Sequence, residues 1–266
     1  MMARFAVVAA AACALLAACA SNTPSAPSAS QAAYDPSHLP AGDRGVLIRY
    51  GRELVDRTRA HMRDNVVANM DCAACHVAGG TKPRGGDFAG IAAQFPQWNK
   101  RAKRTIALQD RIAECFLYSM NGRPPAYNSR EMLAIVAYIT YLSRGTPIGA
   151  TPDPAVRLAS ISLGKPDPAH GQAIYSQKCS ACHGANGAGS AAFPPLWGAT
   201  SFNAGAGMHR LNTMAGFVRY NMPQNAPGSL SDREAYDVAA YVLSHPRPKF
   251  QGSRPISFPA QPAKFF

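Results

Sequence analysis

The sequence predicts an all-α chain of two tandem domains built on one plan. Three observations carry that reading. The stretch C-x-x-C-H occurs twice, 107 residues apart. After each copy comes a helix-capping pattern followed by apolar residues at helical spacing. No alternating apolar and polar run long enough for a strand is present.

The chain has 266 residues, 27 basic and 15 acidic, for a net charge of +12. That length suits two small domains, and the charge suits an anionic ligand or an acidic partner. No basic run interleaved with aromatic residues points to nucleic acid. The first eighteen residues (1–18) read as a signal peptide: Arg4 gives a positive start, and Phe5 to Ala18 is apolar but too short for a membrane span. Leu16-Ala17-Ala18-Cys19 resembles a bacterial lipobox, with cleavage before Cys19 and lipid on its thiol. Cleavage after Ala18 or Ala20 is the alternative. Residues 19–40 are then a lipid-anchored flexible linker, rich in Ser, Pro and Ala. The expected location is the periplasm, attached to the membrane through Cys19.

Cys72-Ala73-Ala74-Cys75-His76 and Cys179-Ser180-Ala181-Cys182-His183 carry the spacing that attaches haem c. Two thiols three residues apart on one helical turn reach the two haem vinyl groups as thioethers. The adjacent histidine then faces the iron. The expected cofactors are two covalent haem c groups.

The flanking elements repeat as well. Tyr50-Gly51-Arg52 and His170-Gly171-Gln172 start a helix ahead of each motif. An aromatic stretch closing on glycine follows each motif, Phe88-Ala89-Gly90 and Phe193 to Gly198. Asn128-Ser129-Arg130-Glu131 and Ser231-Asp232-Arg233-Glu234 read as capping boxes opening a last helix. Each half thereby resembles a class I cytochrome c. The expected division is 41–146, a linker at 147–166 rich in Pro and Gly, 167–248, and an extended tail at 249–266.

Each haem iron needs an assignment opposite its histidine. In the second half the candidates are Met208, His209, Met214 and Met222. Met222, in Asn221-Met222-Pro223, stands at the usual ligand position of this fold; Met208 is the runner-up. His183 to Met222 is 39 residues, and 39 residues after His76 stands Cys115. The repeat therefore places a cysteine where the other half has its methionine. Met120 is the rival. A thiolate donates electron density and lowers the haem potential, whereas methionine raises it. Electrons should run from the first haem to the second. If Arg111 to Asn121 is helical, Arg111 and Ser119 flank Cys115 at four residues either side. Lys100, Arg101, Lys103 and Arg104 add cations upstream.

From about Asp43 to Pro248 the chain resembles the dihaem thiosulfate dehydrogenases. The resemblance rests on the first C-x-x-C-H, Phe95-Pro96-Gln97, and Arg111-Ile112 leading to Cys115-Phe116 and Ser119. It continues through Cys179–Gly184, Pro195 to Gly198, Ser201-Phe202-Asn203, Gly205–Met208, Asn221-Met222-Pro223 and Ser231–Tyr241. It implies oxidative joining of two thiosulfates into tetrathionate at the His/Cys-ligated haem. Cys115 would be ligand and reactive thiol, and Arg101, Arg111 and Ser119 would hold the sulfonate oxygens. The electrons would leave through the His183/Met222 haem to a soluble cytochrome c. A dihaem electron carrier without a substrate of its own, or the same site run as tetrathionate reductase, are the alternatives. Some relatives carry Lys before the ligand Met; here it is Asn221.

Overall fold

The computed structural model describes residues 34–151, 153–155 and 157–250. The expected signal peptide, Cys19, nearly all of the tether and most of the tail lie outside the described residues. Among the described residues nine α segments follow in order: α1 (Asp43–Asp56), α2 (Thr58–His61), α3 (Val77–Gly80), α4 (Leu108–Glu114), α5 (Arg130–Leu142), α6 (Pro168–Lys178), α7 (Ser180–His183), α8 (Leu211–Asn221) and α9 (Asp232–Ser244). A short antiparallel hairpin, β1 (Gln97–Asn99) with β2 (Arg104–Ile106), is added to the helical plan. Its three-residue strands are too short to leave an alternation in the sequence. None of the helices among the described residues is long and apolar enough to cross a membrane.

The two halves share one crossing. In the first, α1 packs on α5; in the second, α6 packs on α9. A glycine lies at each contact: Gly51 against the Ala134 carbonyl and the Tyr138 Cβ, Gly171 against the Asp237 carbonyl and the Tyr241 Cβ. A side chain there would meet backbone, so the helices approach closely only because these residues lack one. Gly51 thus sits mid-helix rather than at the start expected from the sequence; α1 begins at Asp43. Gly51→Ala and Gly171→Ala are expected to cost about 1–3 kcal/mol each, the scale of core overpacking, read as a lowered Tm.

Behind each crossing lies an aromatic core. Tyr138 is fully buried and donates to the Gly79 carbonyl (2.8 Å). Tyr175 is equally buried and donates to the Gly184 carbonyl (2.6 Å). Gly80 lies against the Phe88 ring and Gly187 against the Trp197 ring. The loop after each motif is therefore pinned to the helices in the same way in both halves.

The caps are unequal. Ser231 and Glu234 form the full reciprocal box that opens α9. At α5 the cap is Ser129, accepting from the Met132 N–H, so the expected Asn128–Glu131 box is half a box shifted by one residue. Methionine at the third helical position has no acceptor to return the bond. Asp237, buried on α9, accepts from the Asp167 N–H (2.8 Å), His170 (2.9 Å) and Arg233 (2.9 Å). Burial alone would raise its carboxyl; these three bonds outweigh burial and hold it below the ordinary value. A lowered carboxylate stabilises the fold above its unfolded pKa and loses that contribution as pH falls through the folded one. Thermal melts should therefore steepen in pH dependence below about pH 4. Asp237→Asn should melt lower at neutral pH and show a flatter acid limb.

The halves are bonded to each other. Asn203 donates to the Leu117 carbonyl (2.9 Å) and to Asn121 (3.2 Å), and its own N–H reaches the Tyr118 carbonyl (3.2 Å). The Asn69 N–H donates to the Thr200 carbonyl (2.7 Å). Residues 246–250 run along the second half, with the Gly198 N–H bonded to Pro246 and the Ala204 N–H to Pro248, and deliver Phe250 onto Tyr118 (ring centroids 4.9 Å).

Candidate functional site

Both C-x-x-C-H motifs are built to present a histidine. The His76 ring is held through Nδ1 by the Gly86 carbonyl (2.6 Å), and His183 by the Pro194 carbonyl (2.9 Å). Each anchor leaves Nε2 as the metal-facing nitrogen. Burial pushes His76 down to about 4 and lowers His183, so both rings stay neutral, the form that binds iron. Cys72, Cys75, Cys179 and Cys182 form no disulfide. Thr58, fully buried, clamps the first motif: its hydroxyl donates to the Leu54 carbonyl (2.7 Å), accepts from the Cys72 N–H (3.0 Å) and lies 3.2 Å from the Cys72 sulfur. Burial pushes the Cys72 and Cys75 thiols up to about 12 and Cys179 up to about 11. Such places suit an uncharged thioether better than a thiolate.

Cys115 caps the C-terminal end of α4, and Met222 caps the C-terminal end of α8. The two residues related by the 39-residue spacing both follow a helix, but Cys115 keeps helical backbone (φ −66°, ψ −40°) while Met222 is extended (φ −120°, ψ 148°). The chain does not simply continue α-helically through Cys115. Cys115–Ser119 forms a π turn, closed by the Met120 N–H on the Cys115 carbonyl (2.9 Å). Such turns re-aim side chains and recur at functional sites. Phe116, Tyr118 and Met120 are buried, while Cys115, Leu117 and Ser119 keep accessible surface. Met120, the rival ligand, is committed to the core. In the second half Met214 is buried in the core and Met208 packs against it, whereas Met222 ends its helix half-buried.

Cys115 lies close enough to both Cys72 and Cys75 for its charge to raise each thiol, after burial. Arg111 lies close enough to His76 to help lower it. Arg111 is itself held more firmly protonated, first by Cys115 and then by Glu114. Its side chain is 50% accessible. Nη1 donates to Glu114 (3.0 Å), a carboxylate only 6% accessible that also accepts from Asn99 (2.9 Å). Asn99 in turn accepts from the Arg101 and Ala102 N–H groups (2.9 Å each) and shapes the hairpin turn.

Arg101 reaches the other half: Nη2 donates to the Gly205 carbonyl (2.8 Å), and its guanidinium lies over Tyr118 (4.2 Å) and Phe250 (5.4 Å). Arg104 is paired with Asp110 (3.0 Å), while Lys100 and Lys103 are exposed. The sequence reading missed Glu114, Asn99 and Tyr118. The one available signal was an acidic residue inside the otherwise apolar run Ile112–Leu117. A surface groove of about 660 Å³ between the end of α5 and the 92–96 turn is lined by Ala92, Phe95, Leu108, Val136 and Thr140, among others; neither C-x-x-C-H motif, Cys115 nor Met222 borders it.

The residues present fit haem c. Two thiols and a neutral anchored histidine converge in the first half, with the Cys115 sulfur near both thiols. In the second, the buried nitrogens His209 Nδ1 and Arg247 Nε lack partners among the described residues. Burial and then the Arg247 charge lower His209. A propionate carboxylate is an acceptor that could satisfy both nitrogens.

Comparison with known proteins agrees with this plan. Residues 60–148 match the family model described as SoxA/TsdA, cytochrome c domain, and residues 168–246 the model described as cytochrome c. The chain is 42% identical over 224 residues to a thiosulfate dehydrogenase of Allochromatium vinosum, covering 80% of this chain and 83% of that one. It is 40% identical over 217 residues to that of Stutzerimonas stutzeri, covering 79% and 71%. Among solved structures, the as-isolated thiosulfate dehydrogenase (TsdBA) of Marichromatium purpuratum matches with a TM-score of 0.74 at 32% identity. That match covers 86% of this chain and 53% of the other, so this chain spans about half of that structure's length.

Proposed function

The chain belongs to the thiosulfate dehydrogenase family, and from that membership we propose that it joins two thiosulfate dianions into tetrathionate at the Cys115 site of its first domain. The balance is 2 S2O3(2−) → S4O6(2−) + 2 e−: one S–S bond forms, none breaks and no proton moves. When attached, the two haem c groups supply the one-electron acceptors for the two electrons released.

The observation that carries this reading is Arg111, half accessible, one α-turn before Cys115 and close enough to it and to His76 to act on both electrostatically. A guanidinium there binds a sulfonate group and offsets its charge as two dianions are brought together. Glu114 orients the guanidinium through one nitrogen, leaving its other donors for oxygen. Arg101, behind Tyr118, supplies a second cation, and Ser119 a hydroxyl at the far end of the π turn. Cys115 is the proposed second ligand of the first haem and the sulfur against which thiosulfate sulfur is set. Met222 is the proposed second ligand of the other haem, whose higher potential draws electrons toward an external soluble cytochrome c. Cys72, Cys75, Cys179 and Cys182 are the proposed thioether attachments. The proposed location is the periplasm, with attachment to the membrane through lipid on Cys19.

Incubating the purified holoprotein anaerobically with thiosulfate and oxidised soluble cytochrome c tests the chemistry. One tetrathionate should appear for every two cytochromes reduced. Cytochrome reduction without tetrathionate would contradict the proposal.

A further inference from the structure

The two candidate iron-ligand loops are tied together by one buried side chain. Asn221, the last residue of α8, is 0% accessible. Its Nδ2 donates to the Phe217 carbonyl in its own helix (3.0 Å) and across the domain boundary to the Arg84 carbonyl (2.9 Å). Arg84 adopts a left-handed backbone (φ 60°), uncommon for a residue with a side chain, and lays its guanidinium on the Tyr220 ring at 4.2 Å. Gly85 follows, where a side chain would fit only tightly beside Asn221 Oδ1 and Val77 (3.0 Å each). The Gly85 carbonyl accepts from the Val77 N–H (2.7 Å), and Gly86 supplies the carbonyl that holds His76 at 2.6 Å. On the other side of Asn221 the next residue is Met222.

The path from the first histidine to the second methionine is thus short and made of fixed parts: His76, three loop residues, one carboxamide and Met222. Arg84, Gly85 and Gly86 form a shared wall between the two sites. A buried amide bonded at both donors specifies its neighbours in a way an apolar side chain cannot. Asn221 Oδ1, by contrast, is buried without a partner among the described residues. Keeping such an atom carries a desolvation cost, so the two bonds made by Nδ2 are the side chain's contribution to the folded chain. Asn203 also bridges the halves, but through Leu117, Tyr118 and Asn121, away from Met222.

We infer that Asn221 is a positioning residue that locks the Met222 loop of the second haem to the His76-bearing loop of the first, so that ligation at the second haem depends on this cross-domain bond. The inference rests on the proposed ligation by Met222. Three holoproteins test it: Asn221→Leu, which keeps the shape and removes both donors; Asn203→Ala, which weakens the domain contact elsewhere; and Met222→Leu. Asn221→Ser, which retains one donor in a smaller side chain, is read alongside in case Asn221→Leu does not fold.

The readouts are the Met–iron charge-transfer absorbance of the oxidised protein and the potential of each haem in a redox titration, with no thiosulfate present. Asn221→Leu and, in lesser degree, Asn221→Ser should lose charge-transfer absorbance and lower the potential of the second haem. Asn203→Ala should leave both near wild type while lowering the Tm. If the band disappears in Met222→Leu yet survives unchanged in the Asn221 variants, with only Tm reduced, the inference is overturned and the ligand assignment stands. If the band survives in Met222→Leu, the ligand assignment fails and the inference fails with it.

Discussion

Cys115→Met is expected to raise the potential of the first haem toward that of the second and to lower thiosulfate turnover by more than the about 10³-fold that one lost hydrogen-bond donor costs. The variant makes the two proposed ligand sets alike. A thiolate favours ferric iron and a thioether ferrous iron, so the gradient that sends electrons from first to second site collapses. The sulfur against which thiosulfate is oriented also becomes a capped, uncharged one. Haem content should not change, because Cys72, Cys75 and the Thr58 clamp are untouched. A redox titration and steady-state kinetics read the two effects separately. A variant with an unmoved first potential would remove Cys115 from the ligand set.

Arg111→Leu is expected to lower kcat/KM for thiosulfate by about 10²–10³-fold, the loss of one charge-stabilising donor at the site of reaction. Arg111→Lys should recover only part of it, since a point charge cannot hold Glu114 and a sulfonate in the fixed geometry of a guanidinium. Arg111→Leu also strips the buried Glu114 of its cation, leaving Asn99 as its bonded partner. An uncompensated buried carboxylate destabilises, so a lowered Tm is expected beside the kinetic defect. The double variant Arg111→Leu/Glu114→Gln separates them: it should regain stability and not activity. Recovery of activity in the double variant would reduce Arg111 to a structural counterion.

What the sequence disclosed depended on how local its cause is. The C-x-x-C-H motifs, the last-helix cap at Ser231 and the two-domain repeat follow from spacing within a few residues, and all were readable. Cys115 stands out in the sequence only because the chain repeats: its distance from His76 has meaning once Met222 supplies the same distance in the other half. The structure adds that each residue directly follows a helix, Cys115 after α4 and Met222 after α8. The π turn at Cys115 left no mark, because an i+5 closure onto Met120 is decided by packing of Phe116 and Tyr118 rather than by residue type. The start of α1 was misplaced because a glycine mid-helix looks like a helix start until its crossing partner is known. Glu114, Asn203 and Asn221 were opaque for a related reason. Each is a polar residue in a buried place, and its significance lies in a partner far along the chain or on a neighbouring element.

The central claim is that thiosulfate delivers its electrons at the Cys115 site. The most direct measurement is anaerobic addition of thiosulfate to the oxidised, purified holoprotein, with no external acceptor, followed by haem absorbance in wild type and in Cys115→Ala. Wild type should reduce and yield tetrathionate in proportion to the electrons taken up, while Cys115→Ala, with both haems attached, stays oxidised. Equal reduction of the two proteins, or of neither while a reduced soluble cytochrome c reduces both, would contradict it and leave a dihaem electron carrier in its place.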